Sequence, residues 1–230
     1  TTNGEKEISS WNLPNQSKIK VIPCCTDENL FQKKNIQNVR SELGFNKEDF
    51  IISYVGSIGT WYMLDEMLDF FKILLKKAKT AKFLFITKDD PELIHSKARE
   101  LLIPKDSIII RSSKRDMVPS YLAVSNYSIF FIMPKFSKKA SSPTKMGEIM
   151  SLGIPVICNS EVGDVDEVMK KSMPELLVHN FNSDDYDRIT DLILNNYKAD
   201  TEKIIQTSRY YYSLKNGAKK YLDIYNQILK

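Results

Sequence analysis

Ser142, Pro143, Thr144, Lys145 and Glu148, followed by Gly153, Ile154 and Pro155, are the residues of this chain best suited by type and order to bind an anion. Ser142 is a good N-cap, and Pro143 suits the first helical position, where its missing N–H costs nothing. Gly153 and Pro155 end the helix and launch the apolar pair Val156 and Ile157. The backbone N–H groups of Thr144 and Lys145 then have no intrahelical partner. The positive end of the helix dipole and the Lys145 side chain lie beside them, which is a setting for a phosphate group. Glu148 follows Lys145 by three residues and Thr144 by four, so it shares their face, where its carboxylate can accept hydrogen bonds from sugar or ribose hydroxyls. An ordinary exposed Glu148–Lys145 pair worth ~0.2–0.5 kcal/mol accounts for the same residues. Spacing alone leaves both readings open.

A second loop, Gly56, Ser57, Ile58, Gly59, Thr60 and Trp61, follows a strong strand pattern and precedes the clearest helical one. It is neither Gly-x-Gly-x-x-Gly nor a Walker loop, which disfavours nicotinamide dinucleotides and P-loop chemistry. Gly56 and Gly59 serve either a tight turn or a close backbone approach to a ligand. Trp61 is either a core residue or an aromatic wall. No Gly-x-Ser-x-Gly elbow occurs and no cysteine has a persuasive histidine partner, so acyl-enzyme chemistry lacks support. Lys88, Arg111, Ser112, Ser113, Lys114 and Arg115 supply cations and hydroxyls on the same expected rim. A diphosphate with a sugar at one end and a nucleoside at the other matches that set.

The elements that must position these residues follow from periodicity. Apolar runs rich in β-branched and aromatic residues at 19–23, 50–55, 82–87, 107–111, 127–133, 155–159 and 175–178 read as strands. Segments of helical period alternate with them at 61–78, 91–102, 116–124, 143–152 and 164–171. Alternation of this kind implies an α/β, Rossmann-like three-layer sandwich with a mainly parallel sheet, whose ligands bind at the carboxyl ends of the strands. From 183 onward the pattern is wholly helical, with elements at 184–197, 200–213 and 217–229. Tyr221, Ile224, Tyr225 and Ile228 form a stripe on the last of these, and such a stripe is usually core. Residues 1–17 are polar and aperiodic apart from Ile8, Trp11 and Leu13, and read as a lead-in or linker.

Composition sets the outer bounds. The 230 residues with 42% hydrophobic content are enough for a proper core. The formal charge of +4, from 33 basic and 29 acidic residues, falls short of a nucleic-acid-binding stripe. Lysine groups around Lys76, Lys138 and Lys219 leave weak peripheral contact with an anionic membrane surface open. Three cysteines, two of them adjacent at Cys24 and Cys25, make no disulfide framework and fit a reducing cytoplasm. His95 and His179 stand far apart without a metal-binding pattern, so no metal or cofactor is expected.

With these segments in view, the chain resembles the carboxyl-terminal, donor-binding domain of GT-B glycosyltransferases, in particular the retaining group called family four (glycosyl transferases group 1). Val21-Ile22-Pro23-Cys24-Cys25-Thr26-Asp27 with Phe31 is similar to the family's opening strand and turn. Tyr54-Val55-Gly56-Ser57 resembles its first glycine loop, and 116–122 resembles the helix before the strand ending at Pro134. Ser142-Pro143-Thr144-Lys145 with Glu148 and Gly153-Ile154-Pro155-Val156-Ile157 is the most specific match. The resemblance covers about 18–230, with 183–230 as a helical extension.

The resemblance implies that Glu148 binds the donor ribose and that Thr144 and Lys145 amides hold the diphosphate. It places Gly56 and Ser57 near the sugar or its phosphates and the Arg111–Ser113 loop beside the base. Donor-binding candidates are therefore Gly56, Ser57, Lys88, Arg111, Ser112, Ser142, Thr144, Lys145 and Glu148, with no catalytic residue assigned. Two departures stand out. Ala140 occupies the place of an earlier family glutamate, and Gly59-Thr60-Trp61 replaces an expected arginine and lysine, so neutralisation of the diphosphate falls to Lys145, Lys88 or Arg111. The acceptor-binding, amino-terminal half of such enzymes is missing from the chain, and the final helices would normally return to it. The implied role is the donor half of a cytoplasmic transferase building surface or capsular polysaccharide. A nucleotide-sugar epimerase half and a non-catalytic Rossmann-like interaction module are the alternatives.

Overall fold

Long apolar runs flanked by turn residues can bury both faces only in the middle of a layered structure. The computed structural model, which describes residues 1–11, 19–32, 37–195 and 197–229, places six of them there. In chain order the elements are α1 (Thr2–Ser9), α2 (Gln37–Glu42), β1 (Phe50–Val55), α3 (Leu64–Lys77), β2 (Ala81–Ile86), α4 (Pro91–Glu100), β3 (Ile108–Arg111), α5 (Val118–Leu122), β4 (Tyr127–Phe130), α6 (Thr144–Ser151), β5 (Val156–Asn159), α7 (Val165–Ser172), β6 (Leu177–Val178), α8 (Ser183–Leu194), α9 (Thr201–Tyr212) and α10 (Leu214–Ile228). The strands form one sheet in the order β3-β2-β1-β4-β5-β6, and every pair is parallel. The doubly wound α/β class expected from the alternation is what forms.

Chain order reverses between β1 and β4, where Ile52 lies opposite Tyr127 and Ser53 opposite Ser128. Parallel sheets open a crevice at the carboxyl ends of the strands flanking such a reversal. The two serines are fully buried there, and Ser128 Oγ satisfies itself on the Ser53 carbonyl at 2.9 Å. Asn159 at the end of β5 fixes the chain leaving β4: it accepts from the Ile132 N–H at 2.8 Å and donates to the Ile132 carbonyl at 2.9 Å. The crevice rim is thereby held by side chain as well as by ladder.

The helices follow their apolar faces. On α3, Met67, Leu68, Phe70, Phe71 and Leu74 are buried, with Asp65 and Glu66 in its first turn and Lys76 and Lys77 in its last, as the helix dipole favours. Lys77 joins α3 to α8 through Asp187 at 2.6 Å and Asp191 at 2.8 Å.

Four expectations are corrected. The run 19–23 forms no strand; it leads instead to Thr26, whose N–H donates to the Tyr212 carbonyl at 2.7 Å, so its partner is the end of α9 rather than the sheet. Residues 2–9 of the aperiodic lead-in are helical, because Thr1 caps them through the Gly4 N–H at 2.9 Å and a tertiary carboxylate adds to it: Asp164 accepts from the N–H groups of Thr2 and Asn3 at 2.8 and 3.0 Å. Residues 12–17 of that lead-in lie outside the described residues. The stripe on α10 is not core. Tyr221, Tyr225 and Ile228 are more than half exposed and Gly217 is the residue that α10 buries. Ser142, finally, is not the cap of α6. Pro143 takes that position, one residue later than expected, and the Ser142 hydroxyl accepts from the Cys24 N–H at 3.2 Å.

Candidate functional site

The start of α6 faces the crevice beyond β1 and β4. A cleft of about 510 Å³ is walled there by Val55 and Gly56 from the end of β1, Trp61 and Tyr62, Ile132, Lys138, Arg115, and 141–145 with Glu148 from the loop and first turns of α6. A smaller cleft of about 230 Å³ shares Val55, Gly56 and Arg115 and continues over Ser57, Thr87, Lys88 and Ser113 at the ends of β1, β2 and β3. A larger cleft of about 620 Å³ lies between α1 and 134–139, where Glu7 and Lys139 pair at 3.0 Å. The crevice clefts are the ones at the carboxyl ends of the strands, where a parallel sheet binds its ligands.

Lys145 and Glu148 do not pair. The Lys145 ammonium lies 3.4 Å from the Tyr62 ring centre and 4.4 Å from that of Tyr54, and it donates to the Tyr54 hydroxyl at 3.2 Å. Burial pushes its pKa down to about 7, with the Glu148 carboxylate opposing the shift. The ring faces also favour the charged form, so the site holds a cation that a low-dielectric setting penalises and that is in no ion pair among the described residues. Tyr54 is itself pushed up by burial, and its hydroxyl donates to the Ser57 carbonyl at 2.5 Å. It thus keeps its proton while tying the lysine to the glycine loop.

Glu148 is buried, with 4% of its surface exposed, and its carboxylate is ion-paired through Oε1 with Nη2 of Arg115. The ordinary exposed pair on α6 is therefore excluded: one member is buried and its partner comes from 33 residues away. Arg115 in turn lies over the Phe31 ring, 4.9 Å from its centre. Lys138 stacks on Trp61 at 4.0 Å, which makes Trp61 an aromatic wall rather than core.

Gly56 has φ +126, and a Cβ there would come within 2.7 Å of Lys145 Nζ, so only glycine fits beside the ammonium. The loop after it is pinned by Asp89, which accepts from the Ile58 N–H. The structure brings Gly56, Ser142, Thr144, Lys145 and Glu148 together in the larger cleft, and Ser57 and Lys88 in the smaller. Arg111 and Ser112 line neither; both are exposed, and Arg111 Nη1 bonds only the neighbouring Ile110 carbonyl at 3.0 Å. The chain turns after β3 so that Ser113 and Arg115 reach the clefts instead. Ala140 is exposed at the end of a short 3-10 turn and supplies no carboxylate. Sequence reasoning placed Arg115 only among the rim cations, and it missed the aromatic box of Tyr54 and Tyr62. The box had a signal, since Tyr54 stands one residue before the end of β1 and Tyr62 two residues before α3, on either side of the glycine loop. Among the described residues no group of three or more His, Cys, Asp or Glu is placed to hold a metal ion.

Known proteins share this fold. HepE of Anabaena, solved with UDP and glucose, superposes with a TM-score of 0.70 at 15% identity over 90% of this chain and 56% of its own. WaaG, a glycosyltransferase involved in lipopolysaccharide biosynthesis, gives 0.64 at 14% identity over 84% and 51%. The C-terminal domain of a glycosyl transferase group 1 family protein (LpcC) from Francisella tularensis gives 0.64 at 15% identity, with 82% of this chain and 99% of that domain covered. The chain thus spans about half the length of HepE and WaaG but matches nearly the whole of an isolated C-terminal domain. No curated protein sequence matches it. The family model described as Glycosyl transferases group 1 matches residues 35–210. With that match over most of its length, the chain belongs to the glycosyl transferases group 1 family and has the fold of the carboxyl-terminal domain of a GT-B glycosyltransferase.

Proposed function

We propose that residues 18–230 are the donor-binding half of a glycosyltransferase that moves a sugar from a nucleoside diphosphate to an acceptor. In this reading the acceptor side is an amino-terminal domain of the same enzyme, joined through 1–17, and the chain alone holds donor without efficient transfer. The observation that carries it is the half-buried ammonium of Lys145 at the start of α6, set among aromatic rings and in no ion pair among the described residues, one turn from the buried Glu148 carboxylate. An anion and a hydroxyl are wanted side by side, as a phosphate next to a ribose supplies them. Lys145 and the amides of Thr144 and Lys145 take the diphosphate, Glu148 and Ser142 the ribose side, Gly56 and Ser57 the sugar or its phosphates, and Lys88 the mouth of the smaller cleft. Arg111 and Ser112 are left to the outer edge of the base.

During transfer the sugar carbon gains positive charge as the diphosphate departs. Preorganised cations and helix N–H groups at the departing oxygens lower that barrier, and this reading asks for no metal. Binding of UDP by HepE supports a nucleotide-sugar donor, and the lipopolysaccharide role of WaaG supports surface polysaccharide assembly. In this reading the enzyme is cytoplasmic, with surface or capsular polysaccharide as its product. No helix among the described residues is long and apolar enough to cross a membrane. Calorimetric titration with UDP-, GDP- and ADP-glucose tests the reading. One of them should bind, and Glu148→Ala should weaken it about tenfold or more, the scale of a hydrogen bond to a charged group. No binding at millimolar concentration, together with no effect of the substitution, sinks it.

A further inference from the structure

We infer that Arg115 is a positioning residue of the donor site, holding the Glu148 carboxylate so that one oxygen is fixed and the other is presented to a ribose hydroxyl. The inference rests on the donor reading above and adds to it a residue that does not itself need to touch the ribose.

A carboxylate buried as deeply as Glu148 requires a partner to remain charged, and a poorly held one rotates about its side-chain torsions. Lys145, the nearest cation along the helix, is turned into the rings of Tyr54 and Tyr62. Arg115 fills the role from the loop after β3, engaging Oε1 alone. Among the described residues none donates to Oε2, and Glu148 forms part of the wall of the larger cleft. The guanidinium is fixed in its own right. It lies over Phe31, which is 1% exposed and sits in a turn closed by its N–H on the Asp27 carbonyl at 3.0 Å. Three segments distant in sequence therefore converge to aim one carboxylate: the turn at 27–31, the loop after β3, and α6. A planar guanidinium suits this task because it sets direction as well as charge. Arg115 also stays 59% exposed along its side chain, so its removal leaves no hole in the core.

The experiment is a ligand-by-residue cycle, which isolates the coupling between a hydroxyl and a side chain. UDP, GDP and ADP are titrated into the 230-residue chain, and the 2′-deoxy and 3′-deoxy forms of whichever binds follow. The unaltered chain should prefer the ribose form over at least one deoxy form by about tenfold. Arg115→Ala should collapse that preference to about twofold or less, as should Glu148→Gln, and the double variant should add nothing further. Arg115→Lys should recover only part of the preference, since an ammonium lacks the fork. Thermal unfolding of each variant separates loss of fold from loss of aim. If Arg115→Ala weakens ribose and deoxy forms equally, Arg115 acts on the phosphates or on stability and the inference is overturned while the donor reading stands. If the unaltered chain shows no preference, or binds none of the three, the ribose contact in the donor reading fails and this inference falls with it.

Discussion

Helices α6 and α10 invert each other. The first buries a carboxylate and places a lysine beneath aromatic rings, while the second leaves Tyr221, Leu222, Tyr225 and Ile228 in solvent. On α6 every buried polar feature has a partner outside the helix. Arg115 answers Glu148, and Ser208 donates to the Gly147 carbonyl at 2.9 Å. Gly147 lets α9 come so close that a Cβ would meet Thr26 Oγ1 at 2.5 Å and Tyr212 Cγ at 2.6 Å. On α10 the fold of this chain explains the burial of Gly217 and little else. The difference teaches that an apolar stripe foretells a surface in want of cover, whereas a buried charge with a distant partner foretells a site.

The comparison breaks most readily at its tightest point. Gly147→Val should lower the stability of the chain by about 2–3 kcal/mol in denaturant titration, because the added side chain forces α6 and α9 apart. Unchanged stability would mean the two helices are not packed as described. A smaller effect separates charge from packing. Lys145→Met should keep the fold at equal or higher stability, since it removes a penalised cation, and should weaken nucleotide-sugar binding about tenfold or more. The sign of the pH dependence follows from the same group. Its folded pKa of about 7 lies below the ordinary lysine value of 10.5, so the unfolded chain holds more protons above neutrality, and stability rises as pH climbs past about 7. Binding runs the other way. An anion selects the ammonium form, so affinity should fall from about pH 6.5 to 8.5 in the unaltered chain and stay flat in Lys145→Met. Smallest of all, Tyr225→Gln on α10 should change stability by no more than about 0.5 kcal/mol, the ordinary range for a solvent-facing position. A loss of several times that would show that α10 is packed after all.

Much of the scaffold is legible in the sequence for identifiable reasons. Phe50 to Val55 is a six-residue apolar run with turn residues after it, and it forms β1 with those bounds. Gly153 and Pro155 mark the end of α6 because one takes φ +67 and the other cannot continue a helix. What stays hidden depends on partners distant in sequence. The pairing of Arg115 with Glu148 has no local signature, and the i, i+3 spacing of Lys145 and Glu148 points to a different pair. Helix α1 is short of apolar residues, and beside its local Thr1 cap it leans on Asp164, some 160 residues away, so periodicity does not announce it. The exposure of α10 is invisible for the opposite reason. Periodicity reports that one face is apolar and is silent about what covers it.

Val55, Gly56 and Arg115 belong to the walls of both crevice clefts, so the two are compartments of one continuous surface. A molecule long enough to enter both gives up its freedom of translation and rotation once and collects two sets of contacts, while two separate halves pay that loss twice. The shared wall therefore acts as a gauge of ligand length. It rewards a bent molecule with distinct ends over either end alone, and it does so with no contact beyond those each compartment already offers.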